Sequence, residues 1–596
     1  MAVSRGKGEE QDIERLTSWF TENGGSIDGK ITLARDSTGG ISVYAKEDKP
    51  NPPDGGYKIC VCPPNLHLSH LQAPSELRDL LPEHVLAFLA LIRELLIGEE
   101  SFWAPYIKCL PSIDQMTTPI FFHEEKTQEA VNERRNDTAW LLGTNLDKAW
   151  RARAQQWEED WENACKVMQQ QGLSTEGYTW DLYKWAATIY SSRSFISDPG
   201  ASNENDIHPI LIPFVDMLNH RFPAKVHWFY DHGAFALSVG DPIVQGQEIF
   251  NNYGGKGNEE LLNGYGFCIP ANPCDTVSLR FGALPAAIDS AILATLPSWS
   301  PSQVQHIRSP THYLNQYTIT IPGTSTTIES GLPQPIWTVL HALRTSQETG
   351  PRRRSARRTA TATLLDILEM LATKHDAIDQ YIDFLPPAPT NQKQAHAAIY
   401  RRSQLAILRD NVAAIEALVL GPHLATLEDA VAVLREAGWG VRGEGEAVWE
   451  AVGREARAAG VETDIEGLVG EGREEEAWVG FLVLAAGLWQ RVRGEDGGDG
   501  DGGDGDGGDD SNGGDDSNDT TPLLYQWLRG LLEDYPFPPP SPLESTATTT
   551  PTRPFSSLRD WAVRILARES RMLAYVDENR WSGRLVLVVG APALFQ

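Results

Sequence analysis

Between Ile210 and Phe267 the chain gathers the side chains best suited to chemistry. An apolar run, Ile210 to Leu218, ends in the polar pair Asn219-His220. Further on come Asn252-Tyr253-Gly254 and then Tyr265-Gly266-Phe267. A tyrosine face attracts a cation through its quadrupole, and a phenol hydroxyl can fix a lone pair by hydrogen bonding. On residue types alone this stretch is a compact β-rich unit, with a polar pair closing a buried segment and two tyrosines bracketing a turn. It names no reaction. A second set, Cys60-Val61-Cys62 with His67 and His70, has atoms that zinc accepts. A one-residue gap on a strand points both thiols to one face, but Ile59 to Leu68 reads as a strand plus a Pro63-Pro64 turn, and neither spacing nor turn suits zinc. No metal is expected.

These residues need a frame. Val226 to Tyr230 and Ala234 to Val239 read as two strands around the turn Asp231-His232-Gly233. Near the start, Asp12 to Phe20 is an amphipathic helix ended by Asn23-Gly24-Gly25. Ile31 and Leu33, the turn Ser37-Thr38-Gly39-Gly40, then Ile41, Val43 and Ala45 alternate as a hairpin. Glycine in such a turn lets the backbone approach a ligand, although a turn like Gly40-Ile41-Ser42 is by itself ordinary hairpin chemistry. From Leu71 to about Asn205 the texture is helical, with Leu86 to Ile97 and Asp147 to Met168 as its main runs. Trp103, Trp140, Trp150, Trp157, Trp161, Trp180 and Trp185 fall here and read as core. Leu284 to Pro335 reads as a connector with strand character at Tyr317 to Ile321. Helices follow at Thr361 to Thr373, Ala395 to Leu420, Leu424 to Ala437, Glu474 to Arg493 and Ser556 to Ala574. Gly494 to Asp519 is Gly, Asp and Asn with almost nothing apolar, so it is expected to be a disordered loop; it lacks the terminal glutamate and flanking helices of an EF-hand.

A chain of 596 residues exceeds one hydrophobic core, so at least two domains are expected. The net charge of −30 stays acidic even without the Asp-rich tract, which disfavours nonspecific nucleic-acid binding and either favours encounter with basic partners or serves solubility. Six cysteines in so long a chain, with no charged leader and apolar core at Met1 to Leu16, point to a reducing compartment, cytoplasmic and/or nuclear. The longest apolar run, Trp478 to Trp489, falls short of the roughly twenty residues that span a bilayer and reads as a buried helix.

The order DMLNH, a strand at Glu248-Ile249, then NYGGKGNEELLNGYGF resembles the SET-domain protein methyltransferases of the Rubisco large-subunit methyltransferase type. The resemblance implies an α+β chain: a β-rich SET fold over 1–290 interrupted by a helical insert at about 71–205, a connector at 291–335, and an all-α substrate-binding domain over 336–596 that includes the loop 494–519. It implies S-adenosylmethionine (AdoMet) as cofactor, held by main-chain contacts at Gly40 and Ile41, by Asn219 and His220, and by Arg193 in Ser192-Arg193-Ser194-Phe195. A guanidinium fork suits the cofactor carboxylate. The family turn is usually Gly-x-Gly, and Ser42 replaces its second glycine. Tyr265 is implied as the catalytic tyrosine, with Tyr253 beside it. The implied reaction is methyl transfer to a protein lysine, whose amine must first lose its proton because its ordinary pKa is near 10.4. Gly266 to Asp275 is similar to fungal enzymes that act on ribosomal proteins, which makes a basic nonhistone protein, first a ribosomal one and second a histone, the implied partner of a monomeric enzyme. Two alternatives stay open: methylation of histidine, which needs no loss of an ammonium proton at pH 7, and an inactive SET scaffold that binds basic proteins.

Overall fold

The computed structural model describes residues 2–36, 40–124, 136–197, 208–231, 233–280, 316–319, 341, 344, 356–419, 424–425, 427–436, 446–471, 473–495, 528, 531–532, 535, 555–572 and 585–588. The chain divides into two units, the first made of Met1–Thr276 with Ile378–Leu405 and the second of Val277–Ala377 with Ala406–Gln596.

The first unit is built on short strands: β1 (Ser26–Ile27), β2 (Ile31–Arg35), β3 (Ile41–Ala45), β4 (Tyr57–Cys62), β5 (Ser194–Ile196), β6 (Pro209–Leu211), β7 (Val226–Asp231), β8 (Ala234–Val239) and β9 (Glu248–Ile249). They form one sheet in the order β1-β4-β8-β7, a second in the order β2-β3-β9, and the pair β5-β6. The alternation at Ile31 to Ala45 is the expected hairpin, in register from Ile31↔Ala45 to Arg35↔Ile41; the turn residues 37–39 lie outside the described residues. β3 is buried along nearly its whole length because β9 pairs on its other side. β7 and β8 pair from Val226↔Val239 to Asp231↔Ala234, turning through Gly233 at φ +79°. The first helix, Ala2–Glu22, starts well before the expected Asp12. It stops where expected, since the Gly25 N–H donates to the Phe20 carbonyl at 2.9 Å and Gly24 takes φ +94°.

The helical insert is present as Glu83–Ile97, Asn145–Gln170 and Trp180–Arg193, with the short helix Ala104–Ile107 and several 3₁₀ turns described between the first two. Its tryptophans serve as core. Trp140, Trp150 and Trp185 are buried, and Trp103, Trp157, Trp161 and Trp180 pack against the main apolar cluster. Cys60 and Cys62 are buried free thiols on β4. Among the described residues no group of three or more His, Cys, Asp or Glu is placed to hold a metal, and no helix is long and apolar enough to cross a membrane.

Residues 378–405 belong to this unit although sequence reading assigned them to the following helical domain. The reason is a set of buried polar bonds that periodicity does not reveal. Asp137, 3% exposed, accepts from the Asn391 side-chain amide at 2.8 Å and the Gln394 amide at 2.9 Å. The Tyr400 hydroxyl donates to Glu259 at 3.0 Å, and buried Arg401 donates to the Leu142 carbonyl at 2.8 Å.

The second unit has its own core, centred on Trp478, Phe481 and Trp561 in helices Glu474–Glu495 and Phe555–Glu569. The apolar run Trp478 to Trp489 is a buried helix, as expected. Helices Ala356–Asp379 and Leu427–Glu436 also stand close to their expected positions, as does Gln392–Val419, whose first half, to Leu405, belongs to the first unit. The unit is not all-α, however. Val277–Arg280 pairs with Gln316–Ile319, and Leu585–Val588 is the centre of a three-stranded sheet between Leu424–Ala425 and Ser570–Met572. Leu424-Ala425 and Ser570–Met572 were expected to be helical. The alternating Leu-Val run at 585–588 supplies a ladder partner on both edges, and such long-range pairing overrides weak helix propensity. The helix Glu474–Glu495 runs two residues into the acidic tract, whose remainder, 496–519, lies outside the described residues.

Replacing Asp137 by Ala would strand the buried amide of Gln394 and release that of Asn391, which is exposed. Unpaired buried donors are costly, so Asp137→Ala is expected to lower unfolding stability by about 2–4 kcal/mol, read by urea denaturation. A loss within about 0.5 kcal/mol would mean that these bonds do not tie 378–405 to the unit.

Candidate functional site

In the first unit a cavity of about 430 Å³ is lined by Gly40, Ile41, Arg193, Asn219, His220, Tyr253 and Tyr265. The seven residues singled out by the resemblance therefore face one space, although they come from the β2-β3 turn, the end of the insert and two segments of the core. The meeting of the last two segments has a specific cause. The Asn251 N–H donates to the Asn219 carbonyl at 2.7 Å and the Arg221 N–H donates to the Asn251 carbonyl at 3.0 Å, a parallel crossing centred on His220. It lays the His220 ring flat on the Tyr253 ring, with centroids 4.9 Å apart and planes 17° apart.

His220 has a defined tautomer. Its Nδ1 accepts the Tyr253 N–H at 3.0 Å, so the ring is neutral with its proton on Nε2. Burial, with Lys256 adding to it, holds this imidazole below its ordinary pKa and keeps that acceptor available. Tyr253 in turn stacks on Tyr265 with ring centroids 5.0 Å apart, and its hydroxyl donates to the Leu218 carbonyl at 2.9 Å. Burial raises both phenols, so each stays protonated and can donate as well as accept. The Lys256 ammonium lies 5.8 Å from the Tyr265 ring centroid. Tyr265 closes the helix Asn258–Tyr265, and Gly266 caps it at φ +83°. A Cβ on Gly266 would meet the Thr117 hydroxyl at 2.4 Å, so only glycine allows the insert to close over Tyr265.

Arg193 ends the helix Trp180–Arg193, and its Nη1 donates to the Asp216 carbonyl at 2.8 Å, with the Asp216 carboxylate 3.5 Å away. The same carboxylate accepts the Tyr106 hydroxyl at 2.8 Å. Sequence reading missed Asp216 and Tyr106 as supports of Arg193; Asp216 sits in the quoted DMLNH stretch, but its partners are distant in the chain.

The β2-β3 turn is held by a side chain that sequence reading also missed. Asp36 accepts the Gly40 N–H at 3.0 Å through one oxygen, and through the other the Ser42 hydroxyl at 3.0 Å. The Asn219 side-chain amide reaches the same place, 2.7 Å from the Ser42 hydroxyl, 2.8 Å from Glu248 and 3.3 Å from Asp36. Ser42 is fully buried in this network. Gln392 and His396, from the returning segment 378–405, complete the lining and were not expected there. His396 Nδ1 accepts the Cys268 N–H at 3.1 Å.

No family model matches the chain. It is 36% identical over 233 residues to the ribosomal lysine N-methyltransferase set10 of Schizosaccharomyces pombe, covering 38% of this chain and 40% of that one. It is 39% identical over 142 residues to ribosomal lysine N-methyltransferase 1 of Saccharomyces cerevisiae, covering 24% of each. The chain thus spans less than half the length of these two curated relatives. Among solved structures it is similar to the SET domain of LSMT bound to lysine and AdoHcy, with a TM-score of 0.50 at 16% identity, over 68% of this chain and 91% of the other.

Burial pushes the Asp216 carboxyl up to about 6, against the pull of Arg193 and Tyr106. Because the folded value lies above the ordinary 3.8, the fold holds this proton more tightly than the unfolded chain does. Its contribution to stability is therefore complete below about 3.8 and is lost as pH rises through about 6. Carbon-13 NMR of the Asp216 carboxyl should show a midpoint near 6, moving upward in Arg193→Ala. An ordinary midpoint, or one indifferent to Arg193, would contradict the pairing.

Proposed function

From a SET-domain fold of the Rubisco large-subunit methyltransferase type, we propose that this chain is an AdoMet-dependent protein-lysine N-methyltransferase acting on a basic nonhistone protein. The observation that carries the reading is convergence: a glycine-containing turn, an arginine, an Asn-His pair and two stacked tyrosines meet in one cavity. Its volume of about 430 Å³ is in the range of nucleoside-sized ligands. The hydroxyls of Thr118 and Thr188 and one oxygen of Asp216 are buried against this cavity without a hydrogen-bond partner, the signature of a wall built for a polar occupant.

The residues present fit AdoMet. Gly40 and Ile41 would take it by main-chain contacts, Arg193 by its carboxylate, and Asn219 and His220 beside them. When bound, the cofactor supplies an electrophilic methyl group on a sulfonium. The chain's own work is then alignment and desolvation. Asp216 fixes the direction of Arg193, and the His220–Tyr253–Tyr265 stack forms an aromatic wall whose faces favour a cation. Tyr265, with its phenol kept protonated, would orient the lone pair of a deprotonated amine toward the methyl group. Most of the rate in such an in-line displacement can come from positioning.

A net charge of −30 matches a basic polypeptide better than a small molecule, and the two relatives described above are named for ribosomal lysine methylation. A ribosomal protein is therefore the first substrate class and a histone the second. The helical unit after the core would bind the flanks of that substrate.

The test is transfer of labelled methyl from AdoMet, by the full chain, into an extract of a strain lacking it. Label on lysine of a basic protein is expected. Tyr265→Phe should reduce turnover about 10²-fold or more while AdoMet affinity changes less than about twofold, because only the hydroxyl is lost. Label only on histidine, or none despite bound cofactor, would overturn the proposal.

A further inference from the structure

Lys256 stands beside a tyrosine wall whose faces favour a cation, and it is itself a cation. Its backbone is pinned, since the Lys256 N–H donates to the Gly254 carbonyl at 3.0 Å and the Lys256 carbonyl accepts the Asn272 side-chain amide at 2.8 Å. Its ammonium pairs with Glu260, on the helix Asn258–Tyr265, and lies 5.8 Å from the Tyr265 ring centroid. The pair is lopsided. The Lys256 side chain is 22% exposed and that of Glu260 53%, so water screens the carboxylate more than it screens the ammonium. Two other carboxylates of this region are turned to other partners. Asp275 accepts the Asn258 N–H at 2.8 Å and the Asn258 side-chain amide at 2.7 Å, and Glu259 accepts the Tyr400 hydroxyl at 3.0 Å. A positive field therefore reaches the ring stack, and both ends of the stack respond to it. Burial and then Lys256 hold His220 low; at the Tyr265 phenol burial raises, Lys256 lowers, and Glu260 raises by less than Lys256 lowers.

We infer that Lys256 is a positioning residue for the methyl acceptor: the ammonium fixed beside Tyr265 admits the substrate lysine as a neutral amine and repels it as an ammonium. This role rests on the lysine-methyltransferase reading above and supplies a step which that reading leaves open, the loss of the acceptor's proton. A second cation held close by disfavours the charged form of an amine. The proton passes to water as the side chain enters, so the nitrogen reaches Tyr265 with its lone pair. That pair then forms the bond to the methyl carbon while the electrons of the carbon–sulfur bond go to sulfur, and the product is a methylammonium. Tyr265 gives the amine its direction, and Lys256 selects its charge.

The experiment is the pH dependence of turnover by the full chain. It uses labelled AdoMet and, as saturating acceptor, the basic proteins that a cation exchanger retains from an extract of a strain lacking the chain. At saturation the profile reports the acceptor amine inside the complex. Lys256→Met and Lys256→Gln both remove the charge. Each should move the midpoint of the rising limb up by about one pH unit, toward the ordinary lysine value, so that turnover falls about tenfold near pH 7 and returns to within about twofold of wild type near pH 10. Lys256→Arg keeps the charge and should hold the midpoint within about 0.3 pH units. Loss by one factor at every pH, or a loss in Lys256→Arg as large as in the neutral variants, would make Lys256 a support of the turn and overturn the inference. An unshifted midpoint with full turnover would overturn it as well. A wild-type chain that puts no label on lysine in this fraction would overturn the lysine reading itself.

Discussion

The site depends on one backbone crossing, in which the strand-like segment at Asn251 passes beside Asn219 to Arg221 and exchanges two main-chain hydrogen bonds with it. Main-chain bonds leave little freedom, so this contact sets the position of His220 and, three residues beyond Phe250, that of Tyr253. From Tyr253 the order passes to Tyr265 by ring stacking and to the insert by the tight fit at Gly266. Asn251 is itself nearly fully buried, and its side-chain oxygen accepts from the Trp228 indole at 3.1 Å and the Asn252 N–H at 2.8 Å, which ties the crossing to the sheet. Loss of the crossing would uncouple the polar pair from the tyrosines.

Electrostatics then divides the cavity. On one side a guanidinium is held by a carbonyl and a buried carboxyl, and on another two carboxylates meet a single amide. The two arrangements serve different ends. The Arg193–Asp216 pair is desolvated, so each group is fixed by the need not to be left alone. The Asp36 cluster is less enclosed and is ordered by neutral donors from the turn and from Ser42.

What could be read from the sequence was what repeats over short distances. The alternation at Ile31 to Ala45 and at Val226 to Val239 gave strands because burial on one face of a sheet recurs every second residue. The apolar runs at Leu86 and Trp478 gave helices for the matching reason. The seven site residues were legible only through the resemblance, since no local pattern brings Arg193 to Asn219. What stayed hidden was carried by single long-range polar bonds: Asp36 to Asn219, Tyr106 to Asp216, Asp137 to Gln394. An aspartate in a turn looks the same whether it caps a backbone or lines a cavity. The strands at Ser570 and Leu585 were missed for a related reason, because the partner of each lies outside any window that local periodicity can use.

The return of residues 378–405 to the first unit bears on how the protein is made. Synthesis runs from the amino end, and a domain can close only when its last segment has left the ribosome. Here the sheets and the tyrosine stack are complete by Thr276, while Gln392 and His396 of the cavity wall and the buried partners of Asp137 arrive more than a hundred residues later, after Val277–Ala377 has been translated. Through that interval the nascent chain lacks two of the donors to Asp137 and part of the cavity wall. The cavity is thus among the last features of its unit to be finished, and a nascent chain halted before residue 392 would carry nearly the whole motif set without a closed site.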